Sequence, residues 1–308
     1  MKYMKTRILG LSVTLILLSI FIVNCKDGKK AETVEEVDAD TIILDRDQYV
    51  RFETTMGNFT LKLYREAPLH RHNMVRNARK GIYDGQLFFG VQRGFKIQCG
   101  DVTSKNARPG QQLGVNDEPD TIMSEINPYL MYHKRGAVGQ ASLRQFDYST
   151  SQQFYISLGS RTNLSALERQ ETAINKRLRQ AVKDSLTLFH ASDLIKWREQ
   201  KDNNKISILN NTLNQQTDAI MATRKPFKYS PAQIEEYTKK GGNPNLDGFY
   251  TVFGEVYEGL EVIEAINSVN VDGHYRPQKD IKIIKAYVLE DEQPVEPENQ
   301  AGTEPVAN

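Results

Sequence analysis

The stretch Phe88–Asp101, "FFGVQRGFKIQCGD", decides how the rest of the chain is read. Two short strand-like runs, "LFFGV" and "FKIQC", flank a loop that carries Arg93 and Gly94. Strand side chains alternate between faces, so Lys96 is expected to point away from the side that Phe95 faces. Arg93, on a loop before a glycine, is freer in direction. Cys99 closes the second run and reads as a small buried hydrophobe.

The same texture recurs on both sides. In "MGNFTLKLY", Phe59, Leu61 and Leu63 alternate with Asn58, Thr60 and Lys62, the pattern of a half-buried strand. "GAVGQAS", "QQFYISL", "YTVFGEVY" and "DIKIIKAYVLE" are further runs of this kind. Helical patterning appears in "PLHRHNMVRNARKG", closed by Gly81, and in "GLEVIEAINSV", where Leu260, Ile263 and Ile266 share a face. Many short strands with two flanking helices predict a mainly β fold, a closed or nearly closed antiparallel barrel.

Ser160–Gly242 has a different texture, with no strand pattern and long helical signals. Ile174, Leu178, Ala181 and Val182 repeat at helical spacing, and Ser165 with Glu168 has the form of a capping box. Ser230, Pro231 and Gln233 open another helix, which Gly241 and Gly242 stop. Residues 161–240 hold 15 Lys and Arg against 9 Asp and Glu, which fits a solvated helical face or a functional basic surface.

The whole chain of 308 residues is 39% hydrophobic and 26% charged, with a formal net charge of +1. That balance gives no electrostatic reason to expect a nucleic-acid partner. Lys2, Lys5 and Arg7 precede the apolar run Ile8–Val23, a basic region and short hydrophobic core of the export-signal type. As a helix its length is about 24 Å, short of the ~30 Å hydrocarbon core. "IVNC", ending at Cys25, resembles the lipobox of bacterial lipoproteins, although Asn24 stands where Gly, Ala or Ser is usual. An uncleaved anchor is the alternative, and both readings place the remainder outside the cytoplasm, facing the periplasm or on the cell surface. With Cys25 lipidated, Cys99 has no disulfide partner.

The expected organisation is a signal peptide over 1–24 and a lipidated Cys25 with an acidic tether over 25–47. The barrel occupies 48–159 and 243–289, interrupted by a helical insertion over 160–242. An acidic tail over 290–308, too polar to order itself, closes the chain. His70 and His72 lie two apart in a helical pattern and do not face each other. No cluster of Cys, His and acidic residues completes a metal site, so neither metal nor cofactor is expected.

Five separated motifs together resemble the cyclophilins, the barrel-shaped family of peptidyl-prolyl isomerases. "YDGQLFFGVQRGFKIQCGD" is similar to the family's YDG-x-x-FHR-V-x-x-GF-x-x-QGGD segment, "YHKRGAVGQA" to its H-x-RG-x-x-x-MA strand, and "SQQFYI" to SQFFI. "NLDGFYTVFGEVYEGLEVIEAI" and "RPQKDIKI" are similar to the family's closing segments. The resemblance implies a closed eight-stranded antiparallel barrel with two flanking helices, plus the inserted α-helical segment. It implies a proline slot walled by Phe95, Tyr155 and Leu246, with Ala141 beneath the peptide backbone. Gln98 would hydrogen-bond the substrate, and Gln153 would line the same channel.

The departures fall where the reaction happens. Phe89-Gly90 replaces the family's His-Arg pair, Lys96 its methionine, Asn245 a frequent Trp, and Tyr250 a groove His. The family's arginine is thought to donate to the prolyl nitrogen. Two basic side chains lie near enough to repair the loss, Lys96 and Arg93; of these Arg93 is the freer to reach inward, unless it is simply solvated, and Tyr250 offers a weaker, neutral donor. The implied partners are proline-containing segments of unfolded exported or outer-membrane proteins, met at a membrane that the lipid anchor holds. Three readings follow: an envelope isomerase of reduced activity that assists folding, a chaperone that holds clients in the same groove and on the insertion, or a structural protein reusing the barrel.

Overall fold

The computed structural model describes residues 47–115, 120–142 and 148–289. The signal-like run Ile8–Val23, Cys25, the tether as far as residue 46 and the tail 290–308 lie outside the described residues.

Strands β1 (Gln48–Thr54) and β2 (Gly57–Leu63) form a hairpin. Val50 and Phe52 of β1 and Phe59, Leu61 and Leu63 of β2 are fully buried, as period-two alternation requires. Phe52 lies opposite Phe59, and the rings stack with centroids 5.0 Å apart. Such pairs add about 0.5–1.5 kcal/mol beyond their buried area.

The other strands are β3 (Gly90–Gln92), β4 (Lys96–Cys99), β5 (Thr121–Met123), β6 (Ala137–Gln140), β7 (Tyr148–Thr150), β8 (Phe154–Ser157), β9 (Val252–Glu258) and β10 (Ile283–Leu289). Eight of them pair antiparallel in the order β10-β1-β2-β9-β6-β8-β4-β3, and β5 pairs with β7 apart from them. The expected closed barrel is corrected here: β10 and β3 are edges, and the sheet is an open half-barrel. β3 is only three residues long, because the chain turns through Gly94 at φ 68°. The two edge strands are not paired with each other; only the segments leading into them touch, through the isolated bridge Leu87 to Lys282 and the main-chain bonds beside it.

Helix α1 (Pro68–Arg79) has no side-chain cap of its own. Glu125 supplies one from a distant segment. Its carboxylate accepts from the amides of Leu69 and His70, each at 3.0 Å, and from His70 Nδ1 at 2.7 Å. Burial pushes the Glu125 carboxyl up, but the hydrogen bonds from His70 and the two amides outweigh it and hold the group below its ordinary value. Its contribution to stability is therefore present above the unfolded value of about 4.3 and is lost as pH falls through the lower folded one. Glu125→Gln should flatten the acid limb of the melting temperature below about pH 5, a change read by thermal scans at falling pH.

Helix α6 (Leu260–Asn267) buries Ile263 and Ile266 against the sheet, with Leu260 packed beside them. Cys99 is free and buried in the same core, where burial pushes its thiol well up.

Between β8 and β9 the chain forms α2 (Leu164–Leu188), α3 (Ala191–Glu199), α4 (Asn203–Ala222) and α5 (Pro231–Lys239). Asn163, not Ser165, caps α2 by accepting from the Ala166 amide, since Asn163 is the last residue with extended backbone. Ser230 and Gln233 do form a capping box on α5. Leu167 and Ile174 pack with Phe227, Tyr229 and Tyr237, while Ala181 remains exposed. A second cluster joins Leu194, Leu209 and Leu213, and around it Leu188, Phe189, Ile195 and Ile208 stand exposed.

Candidate active site

Residues directly opposite in an antiparallel ladder share a face. Gly90 lies opposite Gln98, Gln98 opposite Tyr155, and Tyr155 opposite Gly139, so these four form one row across β3, β4, β8 and β6. The adjoining row, Val91, Ile97, Ile156 and Val138, is fully buried in the core. The first row therefore lies on the outer face. Beside it Lys96 stands opposite Gln92 and Ser157.

Tyr155 lies flat because residue 139 has no side chain. A Cβ there would sit 2.4 Å from the Tyr155 ring. The ring instead stacks on His133 at 5.9 Å, and its hydroxyl is 2.8 Å from His133 Nε2. Gly139→Ala should force Tyr155 up from the floor, costing about 1–3 kcal/mol of stability by overpacking. The checks are a lower melting temperature and weaker binding of a proline peptide.

A polar line crosses the floor. Lys96 Nζ donates to Gln98 Oε1 at 2.9 Å, and Gln98 Nε2 donates to Gln153 Oε1 at 3.1 Å. The ammonium is 4.9 Å from the Tyr155 ring centroid and 6.0 Å from that of Phe95. Lys96 thus faces the site, against expectation. The strand begins at Lys96, so alternation runs from Lys96 to Gln98 on one face, and Phe95 belongs to the preceding turn. Burial pushes the Lys96 ammonium down from its ordinary value.

Arg93 goes elsewhere. Its guanidinium donates to the Ser268 carbonyl at the C-terminus of α6, where a cation is favoured. Asn267 clamps the same turn, accepting from the Gly94 amide and donating to the Gln92 carbonyl. Nor does Phe89 cover the row. Its ring is buried against Gly114, where a Cβ would come within 2.3 Å of it.

The slot's walls come from distant segments. The Asn243 side chain donates through Nδ2 to the Phe95 carbonyl at 2.7 Å, which places the 3₁₀ turn Pro244–Leu246 beside Phe95. The Tyr250 amide donates to the Leu246 carbonyl, and the Tyr250 ring meets Tyr155 edge-on at 6.3 Å. Ala141 is buried next to Gln153, bonded to its carbonyl, and its own carbonyl accepts from Thr150. A cleft of about 380 Å³, lined by residues that include Arg161, Arg169, Gln170, Pro244 and Asn245, adjoins the Leu246 turn.

Sequence reasoning missed what stands behind Tyr155. Asp247 is buried, and its Oδ1 accepts from the His133 amide and from His133 Nδ1, both at 2.8 Å. Its Oδ2 accepts from the hydroxyls of Tyr229 at 2.8 Å and Tyr237 at 2.5 Å. With the proton on Nδ1, His133 Nε2 accepts from Tyr155. Burial, and then the Asp247 charge, pushes Tyr229 and Tyr237 far up, so both phenols remain neutral donors. The family-like "LDG" at Leu246–Gly248 marked the aspartate, but nothing in the sequence joins it to the tyrosines of the helical segment.

The model of the cyclophilin type peptidyl-prolyl cis-trans isomerase/CLD family matches residues 49–176 and 201–288. A peptidyl-prolyl cis-trans isomerase of Arabidopsis thaliana is 22% identical over 243 residues, 78% of this chain and 93% of its own length. A peptidyl-prolyl cis-trans isomerase-like 1 of Neurospora crassa is 24% identical over 244 residues, 79% of this chain and 95% of its own. A solved Cryptosporidium parvum cyclophilin type isomerase aligns at 17% identity and a TM-score of 0.45, over 80% of this chain and all of its own. The matched residues take in all but the first strand residue and last of the half-barrel, both flanking helices and the expected site residues Phe95, Gln98, Ala141, Gln153, Tyr155, Leu246 and Tyr250, so the chain belongs to the cyclophilin type peptidyl-prolyl cis-trans isomerase family.

Proposed function

We propose that the outer face of β3, β4, β8 and β6 binds X–Pro segments and speeds rotation about their peptide bond, at a rate reduced by the missing side chain at Gly90. Amide resonance sets a barrier of about 18–20 kcal/mol, and the catalyst needs only to bind the twisted bond better than either planar form. The observation that carries this reading is the row in which Gln98, joined to Gln153, lies beside Tyr155 and opposite Gly90. Gln98 orients the peptide, and Phe95, Tyr155 and Leu246 hold the ring away from water.

The working place is the cell envelope, with a lipid on Cys25 as the tether and exported or outer-membrane proteins as clients. The support is the sequence pattern of residues 2–25. Their X–Pro steps take tens of seconds unaided, so even modest catalysis matters. Exchange spectroscopy on a peptide with one X–Pro bond tests the activity. Weak but measurable acceleration is expected, with shifts at Phe95 and Tyr155. No binding at all would remove this reading.

A second reading, a holding chaperone that uses the same groove and an inserted helical segment, is favoured by Leu188, Phe189, Ile195 and Ile208 exposed on those helices. Its mark is suppression of client aggregation without acceleration of isomerisation.

A further inference from the structure

The family's arginine is absent, yet the floor of the slot is not without a cation. We propose that the Lys96 ammonium replaces it from the neighbouring strand, and hydrogen-bonds the prolyl nitrogen as the X–Pro bond twists. This rests on the isomerase reading above.

Position carries the argument first. Gly90 lies opposite Gln98, and a Cβ on residue 90 would meet the Gln98 Cβ at 3.2 Å. A side chain rising from residue 90 would run along Gln98. The Lys96 ammonium reaches the end of that same side chain, 2.9 Å from Gln98 Oε1. The charge therefore stands at the far end of the space that Gly90 leaves open.

Availability comes next. An ammonium has three donors, of which Gln98 takes one. Among the described residues no carboxylate lies within ion-pair distance of Lys96, so none of them neutralises its charge. The Tyr155 and Phe95 rings flank it, and a ring face favours a cation while excluding water.

The chemistry is one of binding alone. In the planar amide the nitrogen lone pair is delocalised into the carbonyl and accepts poorly. Rotation localises it, and a donor already in place stabilises that state more than the planar ones. No bond forms or breaks, and no proton is transferred. Lysine offers a compact point charge in place of a planar fork, which fits reduced activity.

The titratable groups about Lys96 are Tyr155 on β8, Tyr250 against that ring, and His133 with Asp247 behind it. All are common to the proteins compared below. Burial lowers the pKa of the ammonium, so its charge is lost as pH rises, earlier than for a free lysine.

The test compares the full chain with Lys96→Met and Lys96→Arg, using exchange spectroscopy and titration with one X–Pro peptide. Lys96→Met should lower kcat/KM by about tenfold or more while peptide affinity is kept, and Lys96→Arg should retain activity. The native rate should fall as pH rises, and that of Lys96→Arg should stay level, because a guanidinium remains charged. A Lys96→Met protein as fast as the native one, or faster, would show that the ammonium merely occupies the slot, and overturns the proposal. Peptide binding by all three without any catalysis also overturns it, yet leaves the groove as a binding site. Failure of all three to bind removes the isomerase reading with it.

Discussion

Gly90→Arg in a Lys96→Met background should raise kcat/KM about 10²–10³-fold above Lys96→Met alone, the usual worth of one donor aimed at a transition state. Gly90 does not use the left-handed backbone region, and the closest neighbour of an added Cβ is the Gln98 Cβ at 3.2 Å, which must give by a few tenths of an ångström to admit it. A guanidinium there would bond to the Gln98 Oε1 that Lys96 leaves. Gly90→Arg alone should gain much less, since two cations would compete for one amide oxygen and repel each other in a dry site. Single-turnover rates for the four proteins on one peptide give the coupling between residues 90 and 96. Equal gains with and without Lys96 would mean that the two positions do not share a function.

Asp247→Ala should cost about 3–5 kcal/mol, because it strands several buried donors at once. The His133 amide and ring and the hydroxyls of Tyr229 and Tyr237 all lose their acceptor. For a domain of this size that is roughly 6–20 °C in melting temperature. The loss should also reach the slot, because His133 would no longer be held beneath Tyr155. Asp247→Asn keeps one acceptor but turns an amide NH₂ toward donors, and should fall between the two. An unchanged melting temperature for Asp247→Ala would show that water replaces the carboxylate without cost.

Local patterns exposed most of the architecture. β2, the strand-like runs and both flanking helices follow from period and punctuation, and the start of α5 follows from Ser230, Pro231 and Gln233. Closure did not follow, because it depends on how residues 85–88 meet 281–283 across the whole chain. The Asn163 cap was hidden by a nearby serine with an equally good side chain, and only backbone angles separate the two. In the site, Gln98, Gln153, Tyr155 and Tyr250 come together in the structure, linked to Phe95 and Leu246. Lys96 was misjudged through a single offset: alternation was counted from Phe95, one residue before the strand starts. Arg93 was drawn off by a helix terminus 175 positions away, which no local reading contains.

The meeting of Asp247 with Tyr229 and Tyr237 has a practical consequence for anyone seeking a minimal form of this domain. The two phenols supply half of the donors that stand in for a solvation shell around the carboxylate, and His133 supplies the rest. Excising Leu164–Lys239 and rejoining the chain would leave half of that shell empty, so the trimmed domain needs redesign at its scar.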